Sequence, residues 1–121
     1  MAQDPFLLLS EYLRCNDGDP ETCAILFLNS QLVVLDTEIS KGRRNTVLLP
    51  HEKILLQCRT LHARYILIFH THPSGNPQPS NHDLATTRKL CIKLRRQRQR
   101  LLDHIILTRT AYFSFRKNGM L

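Results

Sequence analysis

His70, His72 and Asp83 are the residues of this chain whose types and spacing best suit a metal ion. Two histidines at i and i+2 of an extended segment point to the same side, because side chains alternate along a strand. Asp83 joins them if the intervening segment folds back. Two neutral imidazoles and one carboxylate leave a fourth tetrahedral position open, the composition of a catalytic rather than a structural zinc site; the same donors also suit iron.

The flanking elements must bring these side chains together. Tyr65-Ile66-Leu67-Ile68-Phe69 is a continuous apolar run of β-branched and aromatic residues and reads as a buried strand ending at His70. Pro73, Pro77 and Pro79, with Gly75, stop strand and helix alike and predict a structured loop. Ser80 then opens a helix with Asp83 in its first turn. A plainer reading competes, since Ser80-x-x-Asp83 also fits a capping box, in which the acid only satisfies backbone donors. Loop histidines are also commonly solvated side chains. The conjunction of strand-end His-x-His, rigid loop and helix-start acid favours a metal.

His70-x-His72-Pro73 followed by Ser80-x-x-Asp83 resembles the JAMM (MPN) metalloprotease motif. The longer run His70-x-His72-Pro73-Ser74-Gly75-x-Pro77-x-Pro79-Ser80-x-x-Asp83 resembles the RadC family in particular. Glu21 before an apolar strand, Gly42 and Pro50 at the next turns, and Asp103-His104-Ile105-Ile106 extend the resemblance over nearly the whole chain. Thr71 stands where RadC proteins usually carry Asn, outside the ligand set.

The resemblance implies an α/β fold, JAMM/MPN-like and cytidine deaminase-like, with a mixed β-sheet flanked by helices. It implies one Zn2+ per chain on His70, His72 and Asp83, and a peptide or isopeptide substrate cleaved at an amide or isopeptide bond by metal-activated water. Glu21 falls where JAMM proteins place an acid from a separate strand, which takes the water's proton and returns it to the leaving amine. On residue type alone Glu21 is equally an exposed acid at a strand start, and Glu38 and Glu52 compete for the role. Ser80 matches the JAMM serine that donates to the developing oxyanion, a contact worth roughly 3 kcal/mol. A hydroxyl has both a donor and acceptors, so capping and catalysis are compatible.

At 121 residues, with 42% hydrophobic residues, the chain fits a single core. It divides into an N-terminal helix and linker, residues 1–20, and a metal domain, residues 21–121. RadC relatives often carry a helix-hairpin-helix DNA-binding region ahead of the metal domain, and residues 1–20 are too short for one. Cys15, Cys23, Cys58 and Cys91 form no Cys-x-x-Cys and read as reduced small hydrophobes of a cytoplasmic protein. Phe6-Leu7-Leu8-Leu9, flanked by Asp4 and Glu11, is too short for a signal peptide. No apolar run approaches the ~20 residues that span a bilayer, so no membrane partner is expected.

The net charge of +7 directs attention to anionic partners. A helix is expected over residues 80–100, with Leu84, Leu90, Cys91 and Leu94 as its apolar stripe. Arg88, Lys89, Lys93, Arg95, Arg96, Arg98 and Arg100 occupy the rest. Such a run is usually a solvated face, and cations at a helix C-terminus suit the macrodipole. The alternative is a DNA-associated repair or nuclease-type module binding nucleic acid through this helix. It would contact duplex phosphates, because no aromatic residues are interleaved for base stacking.

The remaining segments complete the expected layout. Residues 6–14 read as a short helix ended by Asn16-Asp17-Gly18-Asp19-Pro20, and residues 23–28 as a strand with residues 31–35 as its hairpin partner. Residues 41–45 form a basic turn and residues 46–49 a short edge strand. Pro50 opens a helix that turns Ile54, Leu55, Cys58 and Leu61 to the core. Residues 103–108 and 111–115 pair as strands. His104 reads as a core histidine, or with Asp103 as a support for the metal ligands, and His51, His62 and His82 as surface residues.

Overall fold

The computed structural model describes residue 13, residues 19–42 and residues 49–121. Among these residues are five strands and two helices: β1 (Thr22–Leu28), β2 (Val34–Lys41), α1 (His51–Leu61), β3 (Tyr65–Thr71), α2 (Asn81–Arg96), β4 (Arg100–Leu107) and β5 (Tyr112–Ser114). They form one mixed sheet in the order β2-β1-β3-β4-β5. β1 is antiparallel to β2 and β3, β4 is parallel to β3, and β5 is antiparallel to β4. A parallel pair cannot be closed by a tight turn. The Pro/Gly loop and α2 make that crossover, so His70 lies at the end of one central strand and His72 and Asp83 on its connection to the next.

The central strands are buried on both faces, which explains their unbroken apolar sequence. Ile25, Phe27, Ile66 and Ile68 pack on one face with Ile54, Leu55 and Cys58 of α1 and Leu90 and Leu94 of α2. Ala24, Leu26, Leu67, Phe69 and Leu107 form the other face's core, joined by Leu13. The predicted helix over residues 6–14 otherwise lies outside the described residues, as do Cys15 and residues 43–48 of the expected basic turn and edge strand. Leu49 is described and is not in a strand. The helical stripe of α1 is as expected, with Ile54, Leu55 and Cys58 buried and Leu61 packed partly against them.

Two boundaries differ from expectation. The hairpin partner of β1 begins at Val34, not Gln31, because Asn29 Oδ1 accepts from the backbone N–H of Gln31 (2.9 Å) and Val33 (3.0 Å). That side chain mimics a turn and uses up residues 29–33, with Leu32 at φ 64°. At its other end α2 stops at Arg96, and Arg98 adopts a left-handed φ of 63°. Gln97 Nε2 donates to Leu55 O and Gln99 Nε2 to Ala63 O, both at 3.0 Å. These bonds turn the chain inward, so Arg98 lies in the turn and Arg100 opens β4 instead of extending the helix. Among the described residues, no helix is long and apolar enough to cross a membrane.

Candidate metal centre

His70 is the sixth residue of β3 and lies on the same side as Ile66 and Ile68, the side covered by the helices. In register it stands opposite Cys23 of β1. The first residue of β1 is tied to the end of β3, because Thr22 N–H donates to Thr71 Oγ1 at 2.8 Å. Gly42 N–H donates to Glu21 O at 2.7 Å from the other side. These bonds hold Glu21 beside the histidines, and its side chain is buried.

His72 extends the β3 ladder beyond the strand, donating its N–H to Leu107 O at 2.8 Å. Its Nδ1 lies 2.9 Å from Asn76 O, which fixes the ring and leaves Nε2 facing Asp83. Gly75, at φ 89°, supplies the left-handed turn that lets its N–H reach His72 O. At the start of α2, Ser80 Oγ accepts from Asp83 N–H at 3.0 Å and Asp83 Oδ2 accepts from Ser80 N–H at 2.8 Å, a complete capping box.

The capping role does not remove Asp83 from the site. Its Oδ2 lies 3.2 Å from His72 Nε2, and its Oδ1 lies 3.8 Å from His70 Nε2. Glu21 Oε2 is also 3.8 Å from His70 Nε2. Glu21, His70 and His72 offer ligand atoms within 4.8 Å of one another, a group that could hold a metal ion. His70 Nε2 itself is buried with no hydrogen-bond partner. An unsatisfied buried nitrogen is costly unless something else fills its lone pair. The donor set therefore fits a cation.

The other side of the His70 ring is accounted for. Nδ1 lies 3.0 Å from His104 Nε2, and His104 Nδ1 lies 2.8 Å from Thr87 Oγ1. His104 is fully buried and stacks on Phe115, with ring centroids 4.6 Å apart. It is thus a core histidine and a support for His70 at once. The expected pairing with Asp103 is not how the ring is held: its partner is Thr87, while the Asp103 carboxylate accepts from the N–H of His104 and Arg116 and from Ser114 Oγ. Nothing in the sequence marked a structural role for Thr87, Thr71 or Thr22.

Electrostatics separate the five titrating groups. Burial lowers His70 to about 4 and His104 to about 3, so both rings are neutral at pH 7. Burial also acts to lower His72, but its hydrogen bonds with Asp83 and Asn76 outweigh that and raise it. Burial pushes Asp83 up, and the His72 and Ser80 hydrogen bonds overcome this and hold it well below the usual carboxylate range. Glu21 is raised, chiefly by burial, with His72 opposing and Asp83 adding.

Glu21 and Asp83 thus both approach the histidine pair, and Ser80 is joined to the group through its hydrogen bonds with Asp83. Arg88, Lys89, Arg95 and Arg96 are exposed along α2 and Lys93 is half-buried. His82 is exposed, as expected.

A family model described as RadC-like JAB domain matches residues 3–120. A UPF0758 protein of Aquifex aeolicus (strain VF5) is 40% identical over 106 residues, which cover 87% of this chain and 46% of that protein. One of Pelodictyon phaeoclathratiforme (strain DSM 5477 / BU-1) is 34% identical over 123 residues, 99% of this chain and 54% of that protein. One of Vibrio cholerae serotype O1 is 30% identical over 115 residues, 93% of this chain and 72% of that protein. The chain spans about half the length of most of these curated relatives. A match that runs nearly end to end, on a mixed sheet with the histidine pair at a strand end, makes this chain a member of the RadC-like JAB domain family.

Proposed function

We propose that the chain is a zinc-dependent hydrolase of amide or isopeptide bonds, with His70, His72 and Asp83 holding the metal and Glu21 moving the proton. The observation that carries this reading is the buried, unpartnered His70 Nε2 facing two carboxylates, in a ring whose Nδ1 is already engaged. Bound there, a divalent ion lowers the pKa of a coordinated water to around neutral and polarises a carbonyl.

The protein's own groups do the rest. Asp83 would help hold the metal: its Oδ1 lies near His70 Nε2 while Oδ2 accepts from the Ser80 N–H, so the capping box orients the carboxylate. Glu21, raised by burial and close to His70 Nε2, is tuned to accept a proton from the attacking water and release it to the leaving amine. The Ser80 hydroxyl oxygen accepts from Asp83 N–H and retains its own proton, which can be donated to a developing oxyanion.

The test is cleavage of peptide and isopeptide substrates by the zinc-loaded protein beside Glu21→Gln. We expect turnover by the wild type and a loss of about 100-fold or more in the variant, with metal retained. Equal rates in both, or no hydrolysis across the substrates, would overturn the reading.

A further inference from the structure

The far end of the sheet carries a second concentration of charge. Arg64 precedes β3, Arg95 lies in the last turn of α2, Arg98 in the turn that follows, and Arg100 at the start of β4. Arg64, Arg95, Arg98, Gln99 and Arg100 line a concavity of about 620 Å³. A smaller one of about 130 Å³ shares Arg95 and Arg100 and adds Arg116. Five arginines from different parts of the chain thus form one continuous surface. Arg64 and Arg116 belong to it although they lie outside the basic run of residues 88–100.

Two of the five are held in place by backbone. Arg64 Nη1 donates to Arg98 O, and Arg116 Nε donates to Leu102 O at 2.6 Å. Each guanidinium has further donors to offer, and anchoring reduces the freedom lost when they are used. No Asp or Glu side chain lines either concavity. Among the described residues, the lysine–carboxylate pairs lie elsewhere, Lys53 with Glu38 and Lys93 with Glu52. Five clustered cations with no acidic side chain among the residues lining the basins attract an external anion.

We propose that Arg64, Arg95, Arg98, Arg100 and Arg116 bind the phosphodiester backbone of a nucleic acid without reading its bases. Two joined basins suit a chain of regularly spaced phosphates better than one compact anion. The larger basin is lined by arginines and one glutamine only, so it offers no apolar pocket for the side chains of an acidic peptide. No aromatic residue lines either basin, which leaves no platform for base stacking. β3, seven residues long, separates this surface from the metal centre by roughly 20 Å at ~3.3 Å per residue.

The experiment is fluorescence polarisation of the full chain with labelled single-stranded and duplex 20-mers of unrelated sequence, at low and physiological salt. We expect binding that is indifferent to sequence and falls steeply with salt. Arg95→Ala combined with Arg100→Ala should weaken it by roughly tenfold or more and flatten the log–log salt dependence by about two. Both side chains are exposed, and circular dichroism checks that the fold is kept. Arg88→Ala with Lys89→Ala, on the helix away from both basins, should bind like the wild type. Absence of binding at low salt, or equal loss in the Arg88/Lys89 variant, would overturn the proposal. So would displacement by tripolyphosphate or polyglutamate at matched charge concentration, which would assign the surface to a compact phosphate or an acidic protein.

Discussion

His104 Nε2 lies 3.0 Å from His70 Nδ1, deep in the core and on the side of the ring away from the carboxylates. Two proton arrangements satisfy this chain, and a cation on His70 Nε2 selects the one in which His70 donates from Nδ1 to His104 Nε2 and His104 donates from Nδ1 to Thr87 Oγ1. That arrangement leaves the lone pair of His70 on Nε2, where a metal needs it.

Replacing His104 should therefore weaken metal binding without touching a ligand. We expect His104→Ala to lower zinc affinity 10- to 100-fold, as for other groups that orient a liganding histidine. Stability should fall by a few kcal/mol, because a buried ring is lost and His70 Nδ1 loses its partner. Calorimetric zinc titration of the folded variant measures the first effect. Thr87→Val, which removes only the outer hydrogen bond, should give a smaller change of the same sign.

The metal-free protein should be acid-sensitive above the range of ordinary carboxylates. His70 and His104 take up a proton near pH 6.5 when unfolded, but only at about 4 and about 3 when folded. Their contribution is present above pH 6.5 and is lost as pH falls below it, approaching two protons or about 3 kcal/mol per pH unit. His51, lowered mainly by burial and then by Lys93, adds in the same sense. His72 is raised, so its contribution is complete below pH 6.5 and is lost as pH rises through its folded value. Glu21, also raised, begins to oppose the loss at the acid end of this range. Urea unfolding of chelator-treated protein at pH 7, 6 and 5 checks the slope, and a flat profile would contradict it.

Ser80 should show two separable effects. Ser80→Ala removes the cap of α2 and should cost about 1 kcal/mol of stability. If its hydroxyl also serves the oxyanion, the turnover number should fall by about 10²- to 10³-fold with little change in KM. Ser80→Thr retains a capping hydroxyl and should recover most of the stability. Thermal unfolding beside steady-state kinetics separates the two.

What could be read from the sequence was local. The histidine pair followed from strand alternation, the loop from Pro73, Gly75, Pro77 and Pro79, and the Ser80/Asp83 box from its own spacing. Glu21 needed the family resemblance, because its position depends on the Thr22–Thr71 bond between residues far apart in sequence. The end of α2 was misjudged because it is set by Gln97 and Gln99 reaching the carbonyls of Leu55 and Ala63, not by any breaker in the run itself. The hairpin was misplaced for a different reason. Leu32 and Val33 look like strand residues but are 50% and 55% exposed in a turn closed by the Asn29 side chain. The arginine surface was partly visible as a helix face, but the turn after α2 and residues 64 and 116 give it its shape.

Elemental analysis of tag-free protein tests the metal centre most directly, with wild type beside His72→Ala, Asp83→Asn and Glu21→Gln. We expect about one zinc per chain in the wild type, loss in the His72 and Asp83 variants, and retention in Glu21→Gln. Loss in Glu21→Gln with retention in Asp83→Asn would make Glu21 the ligand and leave the proposed proton carrier without a residue. No zinc in the wild type, even after reconstitution, would contradict the metal centre altogether.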